Sequence, residues 1–298
     1  MLQRLLRRPL FPIMLALSSA ACSSPSDLKK STGVATDHND TASTHDRAAV
    51  AKVAKADAKP VNFVDDGTAP DDGKGSRKFS YSWPAAVSAI PKLAALLTRE
   101  RDKALASQKA QWAQALGSTP DDCASCRSYE TKHEWKVVAD LPQWLSLSDL
   151  LYVYSGGAHG MTGLSSLVWD KRVGHAVDGK DMFRSPEALE RALGSQLCEN
   201  LDKARAKKRG EPVPQPSGAN DFLNGCPHLD QATILPGSSG GEKFDRVGIW
   251  FGPYVAGPYA EGSYELTFPV DSAIIDAVKP EYAAAFTIGR RSTRNLAH

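Results

Sequence analysis

The sequence predicts an α+β fold in which two small modules of mainly antiparallel sheet, with packed helices, follow a long flexible segment. Strand-like alternation and helix-like stretches occupy separate parts of the chain, and this segregation favours α+β over a strictly alternating α/β fold. The clearest strand, 129–138, has one largely aromatic face and one fully charged face. Such a strand is typical of an antiparallel sheet that is solvated on one side.

Hydrophobic periodicity places the individual elements. Strands are predicted at 79–83, 129–138, 145–154, 164–170, 247–251 and 264–270. A helix is predicted over Pro91–Leu116, with Gly117 as its C-cap. Ser185 and Pro186 are typical of a helix start, and one continuous helix follows, with leucines four residues apart and a basic last turn at 203–209. A short final helix is predicted over 271–278.

The N-terminus is typical of an exported lipoprotein. Residues 1–21 combine three arginines with a short apolar stretch and small residues before Cys22, which we predict is the lipid-bearing residue of the mature chain. Position −3 is Ser19, where a lipobox usually has Leu; an ordinary signal peptide is the alternative. Ser23 follows Cys22, so by analogy with lipoprotein sorting we expect a lipid anchor facing the periplasm, in the outer membrane where the host has one.

Composition sets the domain plan and excludes some partners. Residues 22–75 are predicted to be a lipidated N-terminus and flexible linker because they are polar and almost free of aromatics. The modules are predicted at 76–162 and 163–285, with a tail at 286–298. The formal charge of +2 includes the arginines of the signal segment, so the mature chain is nearly neutral. That balance does not favour nucleic acid as a partner.

Four cysteines remain after Cys22, and an even number in an exported chain suggests two disulfides. Three pairings are possible. We favour Cys123–Cys126, which lie in one loop, and therefore Cys198–Cys226. The acidic residues before Cys123, and the absence of a recognisable βαβ context, favour a structural bridge over a redox pair.

The sequence gives weak signals for catalysis, metal binding or cofactors, and we predict none of them. Gly237–Gly241 matches a nucleophile-elbow pattern, but a strand-like segment follows it and no suitable histidine does, so we interpret it as a turn. The histidines are scattered without metal-ligand spacing. We interpret the basic run 203–209 as charge that favours the helix C-terminus rather than as an anion site.

Two runs stand out from this background. In 152–160 a strand leads into a glycine turn with His159 at its tip, and Gly156 or Gly157 is expected to need a positive φ. In 250–259 two Gly-Pro steps hold four aromatic residues close together. These aromatics would form a binding patch if exposed; we favour the alternative that they belong to the core.

Together the two runs resemble the RsiV/PdaC-like extracytoplasmic family. The resemblance rests on Tyr154–Gly160, with Gly179–Phe183 after it, and on Phe251–Gly262, and it extends over about 77–279. It implies two tandem α+β modules that meet near the glycine turn, and a module of the lysozyme-receptor type. The usual family glutamate is replaced by Val255. We recognise no sigma-factor-binding segment or deacetylase domain, so neither signalling to a sigma factor nor deacetylation is expected.

We therefore predict a non-enzymatic binding module held at the cell envelope, for a cell-wall glycan such as peptidoglycan or a wall-active protein such as lysozyme. The alternatives are a structural lipoprotein with a protein partner, and an envelope hydrolase that uses His159 as acid or base. The candidate binding residues are Tyr154, Gly156, Gly157, His159, Tyr254, Tyr259 and Glu261.

Overall fold

The computed structural model describes residues 57–70, 74–218, 221 and 223–289. The predicted signal segment, Cys22 and most of the predicted linker lie outside these residues. The strands are β1 (Val61–Val64), β2 (Gly67–Thr68), β3 (Ser76–Trp83), β4 (Tyr129–Asp140), β5 (Trp144–Ser155), β6 (Met161–Asp170), β7 (His175–Val177), β8 (Ala232–Gly237), β9 (Arg246–Phe251) and β10 (Tyr264–Pro269). The helices are α1 (Ala85–Ser88), α2 (Pro91–Ser118), α3 (Pro186–Leu193), α4 (Ser195–Arg209) and α5 (Ser272–Ala277).

These strands form a seven-stranded sheet in the order β1-β3-β4-β5-β6-β7, with β2 beside β3, and a three-stranded sheet in the order β10-β9-β8. All pairings between them are antiparallel except β3 with β4, which α2 connects as a crossover. The predicted α+β class with mainly antiparallel sheet is confirmed.

Helix α2 covers the first sheet and creates one of two cores. It begins at Pro91, where the missing N–H removes nothing from the helix. Leu93 and Leu97, one turn apart, are fully buried on the same face. They pack against aromatic and aliphatic side chains of the sheet: Phe79, Tyr81, Trp83, Trp135, Leu145, Leu147, Leu167 and Trp169. Each such leucine contributes about 2 kcal/mol by leaving water.

The second core joins the far end of the first sheet to the three-stranded sheet and helices α3, α4 and α5. Trp144 and Val168 belong to it from the first sheet, and Ile234, Val247 and Leu266 from the second. The two sheets therefore share apolar packing. The predicted modules at 76–162 and 163–285 stay a prediction, although β6 spans their boundary within the first sheet.

The structure differs from the predicted elements at several points. The predicted linker contains β1 and β2, because Phe63 packs edge-on against Phe79 and Arg77 pairs with Asp65. The predicted continuous helix after Ser185 is broken at Gly194, whose φ is 56°. Strand β8 was not predicted.

The predicted tail is also partly ordered. Phe286 is only 4% exposed, because its ring packs against Phe183 and Phe244. The backbone N–H of Thr287 donates to the carbonyl of Phe244. The body therefore extends at least to these residues.

Both predicted disulfides are present, Cys123–Cys126 and Cys198–Cys226. The expectation that no βαβ unit surrounds the first pair is wrong, because it lies in the β3-α2-β4 crossover. The pair follows the C-terminal end of α2, and the negative end of a helix dipole does not stabilise a thiolate. This position agrees with a structural bridge.

Candidate functional site

The glycine turn between β5 and β6 has the predicted backbone geometry. Gly156 and Gly157 have φ of 85° and 93°, which glycine adopts without steric cost. The Tyr154 hydroxyl donates to the carbonyl of Gly157 at 2.8 Å and fixes the turn against its own strand. His159 follows at the tip and is exposed.

The segment after β9 holds a tyrosine in an unusual conformation. The Val255 N–H donates to the Gly252 carbonyl and closes a turn with Pro253 and Tyr254 at its centre. Tyr254 has φ of 68°, and no other non-glycine residue of the described chain has a positive φ. A turn of this kind favours Gly or Asn at that position, and a bulky residue there costs about 1–2 kcal/mol. Strain of this kind often marks a functional position.

The two turns meet and bring three predicted site residues together. The His159 and Tyr259 rings stack with centroids 3.9 Å apart, and the Tyr254 ring lies 5.6 Å from that of Tyr259. The Tyr259 hydroxyl donates to the Gly160 carbonyl at 2.7 Å. We call His159, Tyr254 and Tyr259 the aromatic cluster.

The prediction that the aromatics of 250–259 are core is correct only for the first two. Trp250 and Phe251 are buried, the latter in the second core, whereas Tyr254 is 49% exposed. Met161, two residues after His159, is 42% exposed. Apolar surface therefore faces solvent at this meeting point of the two turns.

His159 has few polar partners. Its Nδ1 lies 3.1 Å from the Gly160 carbonyl, which can only accept, so Nδ1 is the donor in this arrangement. The assignment leaves Nε2 free to accept. No carboxylate of the described residues is hydrogen-bonded to His159.

Side chains at the basic C-terminal end of α4 bind the segment after β9 that carries Tyr254 and Tyr259. Arg205 is fully buried, and its Nε donates to the Ala256 carbonyl at 2.8 Å. Its guanidinium also donates to the carbonyls of Asn224 and Gly225, close to the Cys198–Cys226 bridge. The interpretation of 203–209 as charge that merely favours the helix terminus is therefore incomplete, since the buried Arg205 guanidinium has specific backbone acceptors.

Glu261 is engaged in the same support rather than free. Arg209 donates to both of its carboxylate oxygens, and Tyr264 donates to one of them. Burial alone would raise the pKa of Glu261, but these hydrogen bonds together lower it below its ordinary range. Burial, together with the bond to Glu261, raises the pKa of Tyr264 to about 12. Glu261 is therefore hydrogen-bonded to Arg209 and Tyr264 and does not belong to the aromatic cluster.

An open polar cavity of about 470 Å³ is lined by the glycine turn and the end of α2. Gly156 and Gly157 form one wall, with Tyr129 and Ser155 beside them. Uncharged polar side chains from the end of α2 form the opposite wall: Gln111, Gln114, Ser118 and Thr119. Hydroxyl and amide groups of this kind can exchange hydrogen bonds with a polyhydroxylated ligand.

Sequence reasoning missed a second histidine site within the first core. His133 Nδ1 lies 2.6 Å from an Asp149 carboxylate oxygen, and the two side chains are only 16% and 5% exposed. The His133 ring stacks on Tyr81, whose hydroxyl accepts from Trp135 Nε1 at 2.9 Å. Alternation predicted that His133 shares a face with Trp135, but not that Asp149 of β5 pairs with Trp135 and so lies diagonal to His133.

None of the helices in the described ranges is long and apolar enough to cross a bilayer. Across the same ranges, no three His, Cys, Asp or Glu side chains are grouped as a metal site would require.

Comparison with known proteins supports the resemblance inferred from the two runs. Residues 74–162 match the family model described as deacetylase PdaC. The resemblance to a PdaC-like extracytoplasmic family is thereby confirmed for this part of the chain. No curated protein sequence gives a significant match.

Two solved structures of similar proteins belong to the family of unknown function DUF3298. The one from Pseudomonas aeruginosa PAO1 is 19% identical, with a TM-score of 0.47 and coverage of 78% of this chain and 98% of its own. The one from Bacteroides fragilis NCTC 9343 is 14% identical, with a TM-score of 0.40 and coverage of 76% and 96%.

Proposed function

We propose that this protein is an envelope lipoprotein whose ordered body is a non-enzymatic binding module for peptidoglycan glycan, with the aromatic cluster as its contact surface. One observation carries the proposal: a strained, half-exposed Tyr254 is held beside the stacked pair of Tyr259 and His159. Folding alone does not favour a bulky residue with positive φ and an exposed ring, so selection for contact with a ligand explains it better.

The chemistry of the surface supports a sugar as the ligand. Aromatic faces pack against the C–H faces of sugar rings, while Nε2 of His159 can accept a hydrogen bond from a sugar hydroxyl. The uncharged polar cavity beside Gly156 and Gly157 offers further donors and acceptors without an ionic requirement. A wall-active protein such as lysozyme is the second candidate, because exposed tyrosines are also frequent anchors of protein interfaces. The near-neutral charge of the mature chain provides no bulk attraction for such a basic partner.

Sedimentation with insoluble peptidoglycan tests the proposal, with immobilised lysozyme as a parallel arm. We expect the body from residue 57 onward to bind peptidoglycan saturably, and His159→Ala to weaken binding about tenfold with an unchanged thermal transition. Lys180→Ala, an exposed change in the turn before α3, is the control and should leave binding unchanged.

Binding to lysozyme alone would favour the second candidate. Absence of binding to either would contradict the module, and crosslinking in cells would then test a structural lipoprotein with a protein partner.

The lipid anchor is a separate part of the proposal, because Cys22 lies outside the described residues. It rests on the arginines, the apolar stretch and the small residues that precede this cysteine. Mass spectrometry of the N-terminal peptide should find a diacyl or triacyl group on Cys22, and an unmodified Cys22 would contradict the anchor.

A further inference from the structure

A second cavity lies at the β7 edge of the first sheet and has a different chemistry. It measures about 510 Å³ and lies between α2 and the turn that joins β6 to β7. Lys92 and Arg99 line it from the helix, and His175 lines it from the edge strand. Its remaining lining is apolar or small: Ala95, Leu96, Trp169, Gly174 and Ala176. We call this cavity the basic cleft.

Four residues of α2 form the helical wall of the basic cleft. Lys92, Ala95, Leu96 and Arg99 are separated by three, one and three residues and therefore share one face of α2. The opposite wall depends on Gly174, whose φ is 70°. A Cβ there would lie 3.3 Å from Lys92 Cδ, so the turn packs closely on the lysine.

Positive charge in the basic cleft is not neutralised by its lining. No carboxylate lines it, and Lys92, Arg99 and His175 form no ion pair with any described residue. Asp170, which begins the neighbouring turn, accepts from the backbone N–H groups of Arg172 and Val173 and from Gln143. Its carboxylate therefore stabilises the turn and does not bridge to the cleft.

Glu100 is next to Arg99 in the sequence but does not line the cleft. Burial raises its pKa, and the nearby Asp149 carboxylate raises it further. The charge of Arg99 acts in the opposite direction without reversing the shift. Arg99 is exposed, and its guanidinium has a planar fork of donors that suits an oxyanion.

We infer that the basic cleft binds an amphiphile that carries a phosphate monoester, with the phosphate between Lys92, Arg99 and His175 and the apolar part against Leu96 and Trp169. A phosphate dianion matches more than one cation, whereas a carboxylate needs fewer. The apolar floor distinguishes this ligand from free phosphate. The site is independent of the aromatic cluster and does not rest on the glycan proposal.

Isothermal titration tests the inference with three probes: dihexanoyl phosphatidic acid, inorganic phosphate and dihexanoyl phosphatidylcholine. We expect the first to bind, at least about tenfold more tightly than inorganic phosphate, and the zwitterionic third to bind negligibly. Added salt should weaken the binding, because the charges lie at the surface. Equal affinity for inorganic phosphate, or affinity that does not change with salt, would overturn the inference.

A pair of matched variants assigns the binding to the cleft. Lys92→Gln with Arg99→Gln should weaken binding of dihexanoyl phosphatidic acid at least about tenfold. Lys203→Gln with Lys207→Gln removes the same charge from exposed positions of α4 and should change it less than about twofold. Equal losses in both double variants would mean that only net charge matters and would overturn the site. Lys92→Arg with Arg99→Lys should retain binding, which separates a lost charge from a lost fold.

Discussion

Two histidines of this protein have similar aromatic neighbours but opposite environments. His133 stacks on Tyr81, pairs with Asp149 and is almost enclosed between α2 and the sheet. His159 stacks on Tyr259, has a backbone carbonyl as its hydrogen-bonding partner and lies at the surface. The first arrangement satisfies a buried polar group, which a core requires. The second leaves a nitrogen and an aromatic surface available. We expect the first site to determine stability and the second to determine binding.

The largest effect should come from the support beneath the aromatic cluster. Arg205→Met removes the donor from the buried Ala256 carbonyl and from the partly buried Asn224 and Gly225 carbonyls, and should destabilise the fold by about 3–5 kcal/mol. Urea unfolding measures the change. Lys207→Met, on the exposed side of the same helix, is the control and should cost less than about 0.5 kcal/mol. A loss below 1 kcal/mol for Arg205→Met would show that Arg205 is not a main support of the fold.

The buried histidine pair should give the next largest effect. Asp149→Ala leaves His133 without its partner and should lower the free energy of unfolding by about 2–3 kcal/mol. Peptidoglycan binding of the remaining folded protein should be unchanged, because the aromatic cluster belongs to different segments. A loss of binding with unaltered stability would reverse the assignment of the two histidines.

At Tyr254 we expect a substitution to weaken binding without lowering the free energy of unfolding. Asn tolerates the left-handed region, so Tyr254→Asn should keep the turn and leave stability unchanged or raise it by up to about 1 kcal/mol. The same change removes the exposed ring and should weaken glycan binding about tenfold. Lys180→Ala, an exposed change outside the aromatic cluster, is the control and should retain binding.

The smallest effect should be a pH dependence of the unfolding free energy that comes from the hydrogen bonds to Glu261. Its pKa is lowered in the folded state, so the carboxylate contributes stability above its unfolded value of about 4.3. That contribution, about 1 kcal/mol, should be lost as pH falls through the lowered pKa, and Glu261→Gln should remove this part of the dependence. Unfolding free energies between pH 6 and about 3 measure it. An identical pH profile for the two proteins would contradict the role of the pair.

Local pattern explains which parts of this structure could be predicted. Alternation located most strands, and the glycines of the turn at 156–157 required the positive φ that they adopt. The bulge in β4 was beyond such reasoning: the register shifts between Val137 and Ala139, so Ala139 enters the core and Val137 is 41% exposed. Strand β8 was missed because Pro236 and Gly237 suggested a turn, although the first is buried in the strand that pairs with β9.

Contacts between residues far apart in the sequence could not be predicted either. Asp149 lies opposite the β4 strand of His133, and Arg205 is 51 residues from its acceptor Ala256, so neither contact is visible in sequence spacing. The meeting of His159 with Tyr259 was suggested only by the family resemblance. Tyr254 itself carried a signal that could have been used, since a Gly-Pro-Tyr turn places a residue other than Gly or Asn at the position that favours positive φ.

Whether the aromatic cluster binds glycan is decided by titration calorimetry with soluble peptidoglycan fragments, on the wild type and on Tyr254→Asn, with the unfolding of both proteins measured in parallel. We expect saturable binding by the wild type, binding about tenfold weaker for the variant, and stability that is equal or slightly higher. Equal binding by both proteins would contradict the assignment of the aromatic cluster as the ligand surface.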